Sequence, residues 1–419
     1  MPFAIYLLGL AVFAQGTSEF MLSGLIPGIA RDLQVSIPAA GLLTSAFAVG
    51  MVIGAPLMAV LSLRWSRRRA LLVFLIVFLL VHVLGAVTTS YEVLLLTRVV
   101  AALANAGFLA VALATAIGMV APDAKGRATS VLLGGVTIAC VAGVPGGALL
   151  GEVWGWRSAF WAVAVALVPA IVAVWRSIPA DVPDQRPVPA DRAGRWARGS
   201  GPRGGLGPLQ RARGELRVLR RPRLLVLLLL GALVNGATFD TFTYLVPLLT
   251  GDTGIGAGWM PAMLALFGLG SFAGVTISGR YADVRPMPLL IGGGVALAAG
   301  WAVFALTAGS PAPAVALVFV QGTLSFAVGS TLISQVLYAA TEAPTLAGGL
   351  ATAALNVGGA AGPWLGGVAI GAGLGFRSPL WVSALLVAAA LIFGLLSKRN
   401  GYAGPVGKPM ESDHQHEAE

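Results

Sequence analysis

The sequence predicts an all-α membrane protein: twelve transmembrane helices in two six-helix halves, with both termini cytoplasmic. Three observations carry this. The 419 residues are 57% hydrophobic and only 11% charged, where a soluble domain is roughly one-quarter charged. The apolar residues fall into twelve runs, each near the roughly 20 residues that cross a bilayer. The two halves of the chain repeat one another at an offset of 220 residues.

The first run, 4–26, is too long for a signal-peptide core, has no Lys or Arg before it and contains Glu19. It reads as a retained span. Breaks at charges, Pro and Gly place the next five at 39–62, 70–89, 92–119, 128–151 and 157–177. The second set covers 224–249, 259–281, 287–308, 313–340, 345–371 and 377–396. The organisation is therefore an N-terminal bundle (1–177), a linker (178–223), a C-terminal bundle (224–396) and a tail (397–419). The linker is rich in Pro, Gly and Arg and has almost no apolar periodicity, which suits a cytoplasmic tether. A short helix at 209–219, with arginines for anionic headgroups, is the alternative there. The tail ends in ESDHQHEAE, a solvated acidic segment.

Orientation follows the positive-inside rule. Of the 27 Lys and Arg, 23 fall on the side of the termini, including twelve between Arg176 and Arg223. Arg31, Arg157 and Arg377 fall opposite, and Arg98 lies within a span. The net charge of +10 is thus placed by topology, with the lipid bilayer as its partner rather than nucleic acid. A single cysteine, Cys140, excludes a disulfide framework, and three histidines leave little for a metal. No GxxxxGK[ST] loop and no Ser/His/Asp cluster is present. ATP drive, enzymatic chemistry and a cofactor are all disfavoured.

The repeat is carried by particular residues. WGWRSAFW at 154–161 and LGFRSPLW at 374–381 share Gly, Arg, Ser and Trp. Gly16, Pro27, Gly50 and Gly54 return as Gly236, Pro247, Gly270 and Gly274. Six spans is an even number, so both copies face the same way, as in large transporters built from parallel halves. Arg157 and Arg377 open the sixth and twelfth spans, and Trp156, Trp161, Phe376 and Trp381 read as interfacial anchors.

Four segments carry a resemblance. GVTIACVAGVPGGALLG (135–151) resembles the antiporter motif of a fifth helix, with Gly143, Pro145, Gly146, Gly147 and Gly151. LTRVVAALANAGF (96–108) resembles a fourth-helix motif built on a membrane arginine, here Arg98. AVLSLRWSRRR (59–69), with Arg64, Arg67 and Arg68, and GRYADVR (279–285), with Gly279, Asp283 and Arg285, resemble the signature loops of the two halves. Together they resemble the major facilitator superfamily and, within it, the twelve-helix drug:proton antiporters. The first loop departs from the family's Gly and Asp, with Ala59 and Leu63 in their places. The resemblance then puts the aspartate latch mainly in the second half, at Asp283. FAQGTSEFMLSGLIP, TSVLLGGVTIACVAGVPGGALLGE and FVQGTLSFAVGSTLIS resemble actinobacterial chloramphenicol-resistance exporters over nearly all the chain outside linker and tail. That resemblance implies a monomeric proton-coupled antiporter in the cell membrane that exports chloramphenicol or related amphiphilic drugs.

Away from the span ends, only Glu19, Arg98 and Asp240 are charged. Such residues cost a few kcal/mol unless paired or wet, and usually mark pathways. By helix rise they lie roughly 10, 9 and 13 Å from the outer surface. The family fold lines its cavity with spans one, four, seven and ten, which would let Glu19 face Arg98. Glu19 is then the expected proton carrier, with Asp240 and Arg98 assisting; the alternative is a fixed Glu19–Arg98 ion pair. Asp240 sits one residue off the repeat position of Glu19, which is Phe239. Gln15, Glu19, Asn105, Asn235, Phe239, Tyr244, Gln321 and Asn356 form the expected drug site of apolar walls and a few amides. Interhelical hydrogen bonding is the alternative for each amide, and His82, on an outer helix, reads as structural. Gly143, Gly147 and Gly151 make a flat face for another helix, and Pro145 removes a donor and permits a bend. That helix is expected at the interface of the two halves. Other readings of the whole are an exporter of a sugar, nucleoside or other small metabolite, and a non-transporting membrane sensor.

Overall fold

The computed structural model describes residues 2–62, 65–121, 124–178, 221–282, 284–339 and 344–399. Arg64, Asp283, the linker from 179 to 220 with its alternative helix, and the tail from 400 lie outside the described residues.

Among the described residues, twelve helices are long and apolar enough to cross a membrane. The first six are Phe3–Phe20, Ile37–Met58, Arg67–Val87, Tyr91–Gly118, Lys125–Trp154 and Arg157–Ser177. The second six are Pro222–Gly251, Ala257–Tyr281, Pro286–Thr307, Pro311–Ala339, Gly348–Leu374 and Ser378–Ser397. Local chemistry sets their starts. Ser66 and Ser90 cap the third and fourth spans through the backbone N–H of Arg69 (3.3 Å) and Val93 (3.2 Å), each satisfying a donor that the first turn leaves free. Pro222, Pro286 and Pro311 open the seventh, ninth and tenth spans, where the absent N–H costs nothing.

The first span is not one helix. It stops at Phe20 and a second helix runs from Leu22 to Asp32, broken at Met21. The expected run of 4–26 therefore holds a mid-membrane break, two residues past Glu19.

Each half has an apolar core, one built on residues between Ile5 and Ile178 and the other on residues between Val234 and Ala390, joined there by Val144 and Ala148 of the fifth span. Side chains such as Leu80, Leu96, Val165 and Leu385 point outward as the bilayer-facing surface. The sequence repeat is a repeat of contacts. A Cβ on Gly50 or Gly54 of the second span would meet the fourth span at Val99 and Leu103, and one on Gly270 or Gly274 of the eighth would meet the tenth at Phe319 and Thr323. These four partners are themselves 220 residues apart in pairs.

WGWRSAFW and LGFRSPLW close the two matching hairpins. Gly155 (φ 81°) and Gly375 (φ 75°) take a conformation open to glycine. Ser158 and Ser378 each donate to that glycine's carbonyl at 2.7 Å. Arg157 pairs with Asp32 at 2.9 Å, and Arg377 with Asp252 at 3.4 Å, again a repeat of 220. Trp156 is not an interfacial anchor as expected: it is buried and donates to Asp32 at 3.0 Å. Trp161 and Trp381 are exposed and fit that role.

The glycine face of the fifth span does not look toward the other half. Gly143, Gly147 and Gly151 face Thr17, Met21 and Leu25 of the first segment, both series stepping by four residues. The fifth span winds more loosely from Ala139 to Gly143, one residue before Pro145's turn begins. It meets the other half on a different side, where the Cys140 backbone abuts Gly268 and Gly24 sits between Ala148 and Leu264.

Candidate functional site

All the contacts between halves named here lie in the membrane half away from the termini. Besides those of the fifth and eighth spans, Ser45 donates to the Ala360 carbonyl at 2.8 Å. Gly41 and Gly367 both admit the Tyr244 hydroxyl, which donates to the Pro363 carbonyl at 2.7 Å. Toward the termini the halves part around a cavity of about 500 Å³. Its walls come from the fifth span (Thr137, Cys140), the seventh (Asn235, Thr238), the eighth (Ser271), the tenth (Ser325, Ser330) and the eleventh (Thr352). None of its lining residues is charged. The blind end is aromatic, closed by Phe20, Phe239, Phe242, Phe267 and Phe326. Phe20 and Phe239, one from each half, pack at 5.7 Å between ring centroids.

The cavity differs from the expected one. The first and fourth spans do not line its main chamber; the fifth, eighth and eleventh do. Of the expected drug-site residues, Asn235 lines the chamber and Phe239 the blind end. Asn235 also donates to the Leu355 carbonyl at 2.7 Å, which leaves its amide oxygen as an acceptor. Gln15, Asn105, Tyr244 and Gln321 are instead buried among helices. Gln321 donates to the Leu297 carbonyl at 3.1 Å and Asn105 reaches the Met51 sulfur at 3.5 Å. Asn356 turns back onto its own helix, donating to the Thr352 carbonyl at 2.9 Å. Small hydroxyl residues do most of the polar lining, and a lone Ser or Thr in an apolar helix carries too little signal to be singled out from sequence. Of the phenylalanines only Phe239 was expected; the other four were legible only as apolar residues.

Asp240 is not in the cavity. It is fully buried between the seventh, eleventh and twelfth spans, its carboxylate against Gly366 and 3.5 Å from the Ser383 hydroxyl. The one-residue offset from Glu19 turns it about 100° around the helix, away from the other half.

Glu19 and Arg98 do not form a direct ion pair. Arg98 is buried and gives Nη1 and Nη2 to the hydroxyl and carbonyl of Ser18, each at 2.9 Å. Its guanidinium lies 4.5 Å from the centre of the Phe47 ring. Glu19 is partly exposed and has both Arg98 and Cys140, a residue of the cavity wall, within electrostatic range. His82, expected to be merely structural, is drawn into this cluster: its Nε2 is 2.6 Å from the Ser18 hydroxyl.

Two six-helix halves around a chamber that opens on one face define a multi-pass membrane transporter. The Major Facilitator Superfamily profile matches residues 8–349. A chloramphenicol resistance protein of Streptomyces lividans is 54% identical over 94% of this chain and 95% of its own length. The inner membrane transport protein YdhP of Escherichia coli (strain K12) is 34% identical over the same shares. A crystal structure of a bacterial homologue of the human lysosomal transporter Spinster, inward-facing and unoccupied, superposes with a TM-score of 0.72 at 18% identity, covering 94% of this chain and 96% of that one. The chain belongs to the major facilitator superfamily and is a transporter of the cell membrane, not an enzyme.

Proposed function

We propose that the protein is a proton-coupled antiporter that exports chloramphenicol or related neutral amphiphilic drugs by alternating access. The observation that carries the cargo is the cavity: an uncharged, mainly apolar chamber dotted with hydroxyl and amide groups and ending in five phenylalanines. In this reading the drug sits in the chamber with its ring turned toward the phenylalanines, while its hydroxyl and amide groups meet Asn235, Thr238 and the serines. The identity to the Streptomyces lividans protein over nearly the whole chain supports the same cargo. With the termini cytoplasmic, the open side is the cytosolic one, and drug enters from there.

Glu19 is the proposed carrier. Burial favours a protonated carboxyl and a nearby cation an ionised one. A carboxyl beside both the cavity wall and Arg98 responds to which side the cavity faces. Arg98 is its electrostatic partner, and Asp240 contributes to the packing of the second half.

The test is drug accumulation in a sensitive host expressing the chain, with and without a proton uncoupler. Lower chloramphenicol accumulation that the uncoupler restores is expected. Unchanged accumulation would remove the cargo; export indifferent to the uncoupler would remove the proton coupling. Competition by sugars and nucleosides, expected to be absent, separates drug export from metabolite export.

A further inference from the structure

Arg98 is held by a residue that must itself be held. Ser18 presents two oxygens to the guanidinium, and only one of them, the carbonyl, is fixed by the helix. The hydroxyl is a free rotor unless its hydrogen has a partner. That partner is His82 of the third span, with Nε2 at 2.6 Å. On the other side of the ring, Nδ1 lies 2.7 Å from the Phe78 carbonyl. A carbonyl only accepts, so Nδ1 carries a hydrogen. In that tautomer Nε2 offers a lone pair, the Ser18 hydroxyl donates to it, and the serine oxygen is left to accept from Arg98. Every hydrogen bond in the chain from the Phe78 carbonyl to Arg98 Nη1 then runs in one direction only.

The ring itself is fixed. Phe78 stacks on it at 4.3 Å and Phe160 of the sixth span lies at 5.7 Å. With Phe47 of the second span against the guanidinium, five of the six spans of the first half meet at this point. The charged groups that face the cluster are Arg98 and Glu19. Arg98 Nε has no hydrogen-bond partner, so the guanidinium is held by Ser18 and Phe47 and not by a carboxylate.

We propose that His82 and Ser18 are positioning residues for Arg98: the histidine orients the serine hydroxyl, the serine chelates the guanidinium, and the charge is thereby kept beside Glu19 without pairing with it. A direct pair would lock Glu19 in its ionised form; a guanidinium free to swing away would leave Glu19 without a cation. The clamp holds the spacing between these limits. The inference rests on Glu19 as the carrier.

Two measurements test it on the full chain. The first needs no cargo. Histidine-selective 15N NMR in nanodiscs, with His414 and His416 changed to Asn so that His82 alone is seen, is expected to show the Nδ1–H tautomer with a hydrogen-bonded Nε2. Ser18→Ala should shift the Nε2 signal. The opposite tautomer, or no response to Ser18→Ala, would overturn the proposal. The second is chloramphenicol flux in proteoliposomes. His82→Leu is expected to lower pH-gradient-driven flux about fivefold, the scale of one lost neutral hydrogen bond, while counterflow exchange at equal pH persists. His82→Gln, which restores an acceptor for Ser18, should recover most of the driven flux. Equal loss of driven flux and counterflow, or normal driven flux in His82→Leu, would overturn the proposal. Glu19→Gln in the same vesicles separates the two readings. Driven flux lost there but normal in His82→Leu removes only the clamp; driven flux retained in Glu19→Gln removes the carrier itself.

Discussion

Arg98 and Arg157 show how differently one residue type is used. Arg98 is buried in the spans, is bound by one serine and stacks on a phenylalanine. Arg157 opens the sixth span, pairs with Asp32, donates to the Thr88 carbonyl at 3.1 Å and lies over Trp156 at 4.4 Å. Both partners of that ion pair are about a third or more exposed, and exposed pairs contribute only about 0–1 kcal/mol. The added carbonyl and ring contacts make Arg157→Ala the costlier of the two repeat-related changes. Thermal unfolding in detergent should show a larger drop in Tm for Arg157→Ala than for Arg377→Ala, whose ion pair is longer. Asp240 contrasts with Glu19: it is a carboxylate in a span that faces its own half. Gradient-driven efflux is expected to survive Asp240→Asn and to be lost in Glu19→Gln; loss in both would return Asp240 to the coupling machinery.

At the scale of elements, the fifth span carries two faces. The glycine series at 143, 147 and 151 admits the broken first span, and Gly146, between them, has open space where a Cβ would go. Small residues at four-residue spacing let helices approach closely in lipid, and an added side chain there forces strain of roughly 1–3 kcal/mol. Gly143→Leu should therefore lower the folded yield and Tm sharply, while Gly146→Ala should leave both near wild type. Similar losses in the two variants would mean that the glycine face is not the packing face. The motif itself was legible; its partner was not. Glycine spacing states that some helix comes close, and only the fold states that it is the first span of the same half.

For the whole molecule, the two halves touch away from the termini and part toward them. Cys140 stands where the touching ends and the cavity begins, since its backbone meets Gly268 while the residue lines the chamber. On the proposed cytoplasmic placement of the termini, a membrane-impermeant thiol reagent should reach this sole cysteine from the cytosolic side of inside-out vesicles and scarcely from the outer side. Gly268→Leu, which cannot admit the Cys140 backbone, should raise labelling from the outer side several-fold. Labelling of the wild type equally from both sides would contradict the closed contact.

The sequence by itself determined the helices, their number, the duplication and the superfamily. Each of these rests on local or periodic properties: apolar run length, charge at the ends, and residues recurring every 220 positions. It also pointed to Glu19 and Arg98, because a charge in a lipid span is costly enough to stand out alone. Only the tertiary structure decided which polar residues share the cavity. A helix buried all round offers no amphipathic stripe to say which face meets lipid, a neighbouring helix or water. Gln15, Gln321 and Asn235 look alike along the chain, yet helix packing buries the first two and opens the third to the chamber. The same packing brings His82 to Ser18 across 64 residues, a contact that no spacing in the sequence announces.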